Sequence, residues 1–384
     1  MTQDVKTIIG EIFNEIADGL EKGRYGEKVR IGITTIGSEH GIEEVVRGAE
    51  MAASNMVGLD VVLIGPSPGT ELEAINPGDC ERDIHSEMER LLDEGYIHGC
   101  VTMHYNFPLG VSTVGRVITP GRGREMIIST TTGASSSHRA EGMVRNAIYG
   151  IAVAKALGKK EPTLGILNVD GAKQVERVLN RLKEGGYPIN FATSVRKDGG
   201  CVMRGNDLLA GVPDVMVMDT LTGNLMMKIF SAFTTGGSYE ALGYGYGPGI
   251  GKGFNRIIGI ISRASGAPVI ANAIKFMAEM KKGNLLDIKE KEISLAEKAG
   301  LERLLKELKE ETAGGTAEVK VPPKKPVTEE ITGIDILELD NAVRLLWKEG
   351  IYAETGMGCA GPVILTAPED NERARLILRD YIGK

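Results

Sequence analysis

Two places in the chain combine residue types and spacing that suit them to chemistry, one built on a thiol and one on a lysine. Cys359 lies in the run ETGMGCAGPV at 354–363, with Gly356, Gly358 and Gly361 around it. Small residues on both sides of a sulfur leave room for a substrate to approach, whereas a cysteine that merely fills a core gains nothing from them. A thiolate so placed can act as a nucleophile. Reaction near neutral pH then requires local N–H dipoles or a cation to lower its pKa. The second place is VMVMDTLTGNLMMKIF at 215–230, where a strand-like run ends in a polar turn that opens a helix. Asp219, Thr222, Gly223 and Asn224 occupy the turn, and Lys228 follows one helical turn later. Free N–H groups at a helix start and a nearby lysine together favour a bound anion.

Further polar segments are candidates to complete that anion site. The loop STTTGASSSHR at 129–139 offers Ser135, Ser136, Ser137 and Arg139. The stretch GYGYGPGIGKG at 243–253 has six glycines in eleven positions, Gly247 and Gly249 among them, a density rewarded by close backbone approach or positive φ. It is not a nucleotide phosphate loop, because no Ser or Thr follows Lys252. His40, in GSEHG after the first strand, and His138 are candidates for proton transfer. His98 and His104 flank a strand without a third ligand at suitable spacing, so no metal site is expected. Each feature has an ordinary alternative: a capped helix, a solvated hydroxyl loop, a flexible glycine lid, a surface histidine.

The elements that must position these residues alternate along the chain. Short apolar runs at 30–36, 60–64, 99–103, 126–130, 164–169, 214–218 and 257–261 read as buried strands, and 43–56, 81–94, 142–157 and 172–184 as helices. Such alternation predicts a doubly wound, mostly parallel α/β sheet with ligands at the carboxyl ends of its strands. A charged amphipathic helix is expected at 288–311. The organisation that follows is an α/β body at 1–311, a Pro- and Lys-rich linker at 312–330 and a small C-terminal α/β module at 331–384 that carries Cys359. Within the module, helices are expected at 335–348 and 369–381 and a strand at 363–366. At the start of the chain Ile8, Ile9, Ile12, Phe13, Ile16 and Leu20 form one helical face, without the basic start and unbroken apolar stretch of a signal peptide.

Composition narrows the classes of function. With 42% hydrophobic and 25% charged residues the chain suits a soluble globular protein, and its net charge of -7 lacks the basic face that a nucleic-acid grip needs. Neither nucleic acid nor a membrane is expected as a partner. Cys80, Cys100, Cys201 and Cys359 are far apart and show no CxxC spacing, which suits a reducing cytoplasm better than a disulfide framework. Cys80 is expected to be a spectator.

Several segments together resemble a known family: VRIGITTIGSEHGIEEVVRGAEMAA, EGMVRNAIYGIAVAKALG, GILNVDGAKQV, PDVMVMDTLTGNLMMKIFSAF, GYGYGPGIG and GMGCAGP. The sequence is similar to the alpha subunit of component C of the glycine/sarcosine/betaine reductase complex, and more distantly to the phosphate acyltransferases of phospholipid synthesis. The Asp-x-x-x-Gly-Asn-x-x-x-Lys pattern of the acyltransferases is matched by Asp219, Gly223, Asn224 and Lys228, while their early Gly-Gly-Asp is replaced by Gly37-Ser-Glu. The resemblance implies an α/β fold of the phosphate acyltransferase and isopropylmalate dehydrogenase kind. It also implies an acetyl thioester on Cys359, taken from a carboxymethylated selenoprotein A and released by inorganic phosphate as acetyl phosphate. The expected partners are the component C beta subunit and selenoprotein A, within an oligomer in the cytoplasm, with phosphate as substrate and no cofactor. Two other readings compete. A free-standing phosphate acyltransferase has no need of the cysteine module, and a non-catalytic scaffold subunit would neither take nor release an acetyl group.

Overall fold

The computed structural model describes residues 13, 28–197, 199–314, 321–334, 339–358 and 361–379. The chain divides into two compact units, 1–306 and 307–384.

In the larger unit, buried β-branched runs form strands and the amphipathic segments between them form the covering helices. The first half contains β1 (Val29–Thr34), α1 (Ile42–Asn55), β2 (Leu59–Ile64), β3 (Glu73–Ile75), α2 (Glu81–Asp93), β4 (Gly99–Thr102), β5 (Ser112–Ile118), β6 (Glu125–Gly133) and α3 (Arg139–Ala156). The second contains β7 (Thr163–Leu167), α4 (Ala172–Glu184), β8 (Asn190–Phe191), β9 (Val202–Met203), α5 (Gly205–Ala210), β10 (Val215–Val217), α6 (Thr220–Ala232), β11 (Gly247–Ile250), β12 (Ile258–Ile260), α7 (Ala267–Lys282), α8 (Leu285–Lys298) and α9 (Leu301–Gly314), the last crossing into the smaller unit. The helix expected at 288–311 is thus two helices, α8 and α9. No helix among the described residues is long and apolar enough to cross a membrane.

The sheet is mostly parallel, as expected, with one departure at its centre. Its order is β3-β2-β1-β4-β12-β11-β5-β6-β10-β7-β8, and β9 also pairs with β7. From β3 to β12 the neighbours are parallel, and so are those from β6 to β8. Between the halves, β11 runs antiparallel to both β12 and β5, and β5 antiparallel to β6. The two halves therefore point in opposite directions. Their carboxyl ends still converge at β11: Gly247 pairs with Ile260, the last residue of β12, and Gly249 pairs with Thr113, on the strand that leads to Ser129 of β6 through Val114. A crevice outside converging carboxyl ends is where ligands bind in open α/β sheets.

The smaller unit holds β13 (Glu329–Ile331), α10 (Leu339–Lys348), β14 (Ala353–Gly358), β15 (Gly361–Thr366) and α11 (Asn371–Ile377), with an antiparallel sheet in the order β13-β15-β14. Ile331, Leu346, Ile351, Ile364 and Leu378 are buried in its core. Part of the expected linker belongs to this unit: Glu330 pairs with Leu365, and Lys325 binds Asp370 at 2.7 Å. The Pro and Lys that made the segment read as a connection lie at 322–326, ahead of the short edge strand β13. β14 and β15 end in the pair Gly358 and Gly361. Cys359 lies outside the described residues, as do Ile8, Ile9, Ile12, Ile16 and Leu20 and residues 335–338 of the expected module helix.

Candidate active site

The start of α6 explains why its residues are spaced as they are. Asp219 is the N-cap: its carboxylate accepts from the Thr222 N–H at 3.1 Å and from the Thr222 hydroxyl at 2.6 Å, satisfying donors that a helix start leaves open. Arg139 donates to the same carboxylate at 3.0 Å. Burial works against the Asp219 charge, but Thr222 and Arg139 outweigh it and hold its pKa below the usual carboxylate range. Gly223 then lets the helix lie directly on β6, since a Cβ there would stand 1.7 Å from the Thr130 carbonyl oxygen. That approach brings the Asn224 amide to 3.2 Å from the Thr131 carbonyl, to which it donates. One turn later the Lys228 ammonium reaches the Ser262 hydroxyl, beyond the carboxyl end of β12, at 3.3 Å.

A cavity of about 250 Å³ opens beside this contact, lined by Glu39, Met103, Thr132, Asn224, Lys228, Tyr246, Ser262 and Arg263 together with Ile260 and Ile261. Two cations, Lys228 and Arg263, face one carboxylate, Glu39, and Thr132, Asn224 and Ser262 supply further polar groups. The balance suits a small anion held by charge and hydrogen bonds together. Arg263 and Ser262 are absent from the residues picked out by sequence, whereas Thr132 belongs to the hydroxyl loop at 129–139 that was. The signal available was SRAS at 262–265, directly after a predicted strand and therefore at the same carboxyl edge. A larger cavity, of about 580 Å³, is bordered by Lys155 and Lys183, in the last turns of α3 and α4, and by Tyr187. Lys160 lines it too, but two helix carboxyl ends point their negative poles there, Lys155 is already paired with Glu292 at 2.7 Å and Glu161 adds a carboxylate to the wall, which makes the smaller cavity the better anion site.

The remaining residues singled out by sequence divide by position. Arg139 is held between Asp219 and Asp170, the latter at 3.5 Å, and does not line the cavity. Ser135 is buried and donates to Asn146 and to the Gly142 carbonyl, Ser136 donates to Glu141, and His138 caps α3 by accepting from the Glu141 N–H at 3.3 Å. The hydroxyls expected to cradle an anion are thus engaged in starting α3, and Ser137 is exposed. Gly247 and Gly249 are strand residues rather than a phosphate loop. A Cβ on Gly247 would meet the Val114 carbonyl oxygen at 1.8 Å and one on Gly249 the Phe107 ring at 2.3 Å, so close packing at the sheet centre accounts for both. His40 is exposed next to Glu39, with its Nε2 3.2 Å from the Ala264 carbonyl and its ring 5.1 Å from that of Tyr239. Among the other thiols, burial pushes the Cys100 pKa well up. Burial and then Glu176 push that of Cys201 up to about 12. Neither is poised as a nucleophile, and Cys80 is exposed. Among the described residues no group of three or more His, Cys, Asp or Glu is placed to hold a metal ion.

A two-way, mostly parallel sheet whose carboxyl ends converge at its centre defines an α/β protein of the doubly wound class, and comparison with known proteins narrows it. The model of a family described as fatty acid synthesis protein matches residues 29–365. The chain is 58% identical over 379 residues to the glycine/sarcosine/betaine reductase complex component C subunit alpha of Peptoclostridium acidaminophilum, covering 98% of each chain. It belongs to the family of these component C alpha subunits. A phosphate acyltransferase of Thermotoga maritima is 27% identical over 235 residues, 52% of this chain and 68% of that protein. A branched-chain phosphotransacylase from Enterococcus faecalis, known in structure, superposes with a TM-score of 0.45 at 14% identity, covering 66% of this chain and 99% of that one.

Proposed function

We propose that this chain is an acyltransferase of an amino-acid reductase complex, which carries an acetyl group as a thioester on Cys359 and gives it up to inorganic phosphate. The observation that carries the reading is the 58% identity across 98% of both chains to a component C alpha subunit. The pocket between α6 and β12 supports it, because a phosphate dianion needs what Lys228, Arg263, Ser262 and Asn224 offer. In the release step a phosphate oxygen attacks the thioester carbonyl. The new C–O bond forms as the C–S bond breaks, and the sulfur leaves as thiolate. Acetyl phosphate is the product and no cofactor takes part. The acetyl group comes from a carboxymethylated selenoprotein: the C–Se bond breaks as the methylene takes up a proton and the selenium is oxidised into an Se–S bond with a thiol of that protein, and the carboxylate gives up one oxygen as hydroxide as the C–S bond to Cys359 forms. The beta subunit of component C is the second protein partner, in a cytoplasmic assembly.

Run backwards, the release step provides the test. Incubation of the full chain with acetyl phosphate should add one acetyl group, which mass spectrometry of the peptides should locate on Cys359. Cys359→Ala should abolish the label and the exchange of acetyl phosphate with free phosphate. Undiminished exchange in that variant would rule out the thioester.

A further inference from the structure

Lys228 is claimed by a group outside the cavity wall. Glu240, in the loop between α6 and β11, is buried to 2% exposure, and a carboxylate so placed requires compensation. One of its oxygens, Oε2, accepts from the Ser265 hydroxyl at 3.0 Å. The other, Oε1, has no hydrogen-bond donor among the described residues and stands 3.7 Å from the Lys228 ammonium. The backbone fixes this arrangement from both sides. The Glu240 N–H donates to the Ala264 carbonyl and the Gly266 N–H to the Glu240 carbonyl, each at 2.9 Å, while Ser265 in turn receives the Ser262 N–H at 3.1 Å. Nearby, burial and the Glu240 charge both push the Tyr246 pKa up, so that phenol adds no second negative charge. The Lys228 side chain, by contrast, is 54% exposed.

We propose that Glu240 is a built-in counter-ion that competes with the bound anion for Lys228, and so limits how tightly the site retains phosphate and acetyl phosphate. This rests on the reading of the pocket as the phosphate site. An anion hydrogen-bonded to the Lys228 ammonium at about 3 Å stands within about 7 Å of Oε1. At that range a fixed carboxylate opposes the anion's charge, and in a half-open site the opposition weakens binding by about tenfold. A site that must release a charged product on every cycle gains from the opposition. Glu240 is thus a positioning and affinity-setting residue that acts through Lys228 without touching the substrate.

The sign of the effect distinguishes this role from a structural one. Loss of a residue that only supports the loop loosens anion binding, whereas loss of a competing charge tightens it. Glu240→Gln keeps the shape and an acceptor for Ser265, and in the full chain it should bind inorganic phosphate about tenfold more tightly by titration calorimetry. Its maximal rate of acetyl phosphate formation should fall as product release slows. Equal or weaker phosphate binding by a variant with wild-type thermal melting would overturn the proposal. If Gln prevents folding, Glu240→Asp, which draws the charge back from Lys228, should tighten binding by a smaller factor, and unchanged or weaker binding there would overturn it equally. Lys228→Ala separates the two readings. If the wild type binds phosphate and this variant binds it just as well, the pocket assignment fails and Glu240 has no anion to oppose. If Lys228→Ala loses phosphate but Glu240→Gln does not gain affinity, only the counter-ion role falls.

Discussion

Gly223→Ala tests whether close contact between α6 and β6 positions the site. In an open helix the change would stabilise the chain by about 1 kcal/mol, because alanine is the better helix former. Here the new Cβ would start 1.7 Å from the Thr130 carbonyl oxygen, and real Cβ contacts essentially never fall below 3.0 Å. The carbonyl belongs to the middle of a strand whose Thr130 hydroxyl is itself bound to Thr113, so the helix has to retreat. Overpacking of this kind costs about 1–3 kcal/mol, and loss of the Asn224 to Thr131 hydrogen bond adds about 1 kcal/mol. The clash wins, and a net loss of about 1–3 kcal/mol is expected. Urea denaturation of the full chain, followed by far-UV circular dichroism, should show a lower midpoint, and phosphate affinity should fall because Asn224 and Lys228 move with the helix. Gly142→Ala in α3 is the control, since its Cβ would have the Ser135 oxygen at 3.4 Å as nearest neighbour. Gly223→Ala with a wild-type midpoint and wild-type phosphate affinity would refute the argument.

Lys228→Ala should raise the KM for phosphate by at least tenfold while leaving the yield of acetyl-Cys359 from a saturating acetyl donor nearly unchanged; steady-state kinetics and quantitative mass spectrometry read the two effects separately. Arg263→Ala, removing the second cation of the same cavity, should also raise that KM, and an unchanged phosphate dependence would move the pocket elsewhere. Ser substitutions at Cys100 and Cys201 should leave acetylation intact, because burial already suppresses the thiolate at both positions. For Asp219 the folded pKa is depressed, so its stabilisation is complete above the unfolded value near pH 4 and disappears as pH falls through the folded value. Asp219→Asn should therefore lower stability at pH 7 by about 1 kcal/mol and flatten the acid limb of a stability profile, and a parallel shift at every pH would contradict this.

The framework of the larger unit was legible because strands such as LDVVLI of β2 are nearly continuous apolar runs and helices such as α4 carry one buried face, whereas the short edge strands β3 and β8 lack such runs. The centre was not. β5 contains Arg116, which reads as a surface residue but is 9% exposed, bound at 2.6 Å to both Glu125 and Glu279 and stacked on Tyr244. β11, with sequence GPGI, reads as loop because its glycines answer to the atoms opposite them, the Val114 carbonyl and the Phe107 ring, which no local pattern reveals. The site behaves the same way. Asn224 and Lys228 share one helix with the cap Asp219 and could be read together, whereas Arg263 and Ser262 come from a strand end that only the sheet order brings near. The Ser135, Ser136 and His138 cluster misled for a related reason, since residues that cap a helix and residues that hold an anion offer the same hydroxyls and N–H groups.

The antiparallel strand at the middle of the sheet governs the order in which the chain can be assembled. Residues of β4 wait for β12, as Cys100 does for Ile258, and residues of β5 wait for β11, as Thr113 does for Gly249. A chain emerging from the ribosome therefore completes two separate half-sheets, each ending in a bare edge, well before the strands that join them exist. Pairings so distant in sequence close slowly, and open edges recruit other chains. Translation arrested shortly before residue 247 should yield a product that aggregates, while synthesis of a dozen or so residues more supplies both missing strands at once.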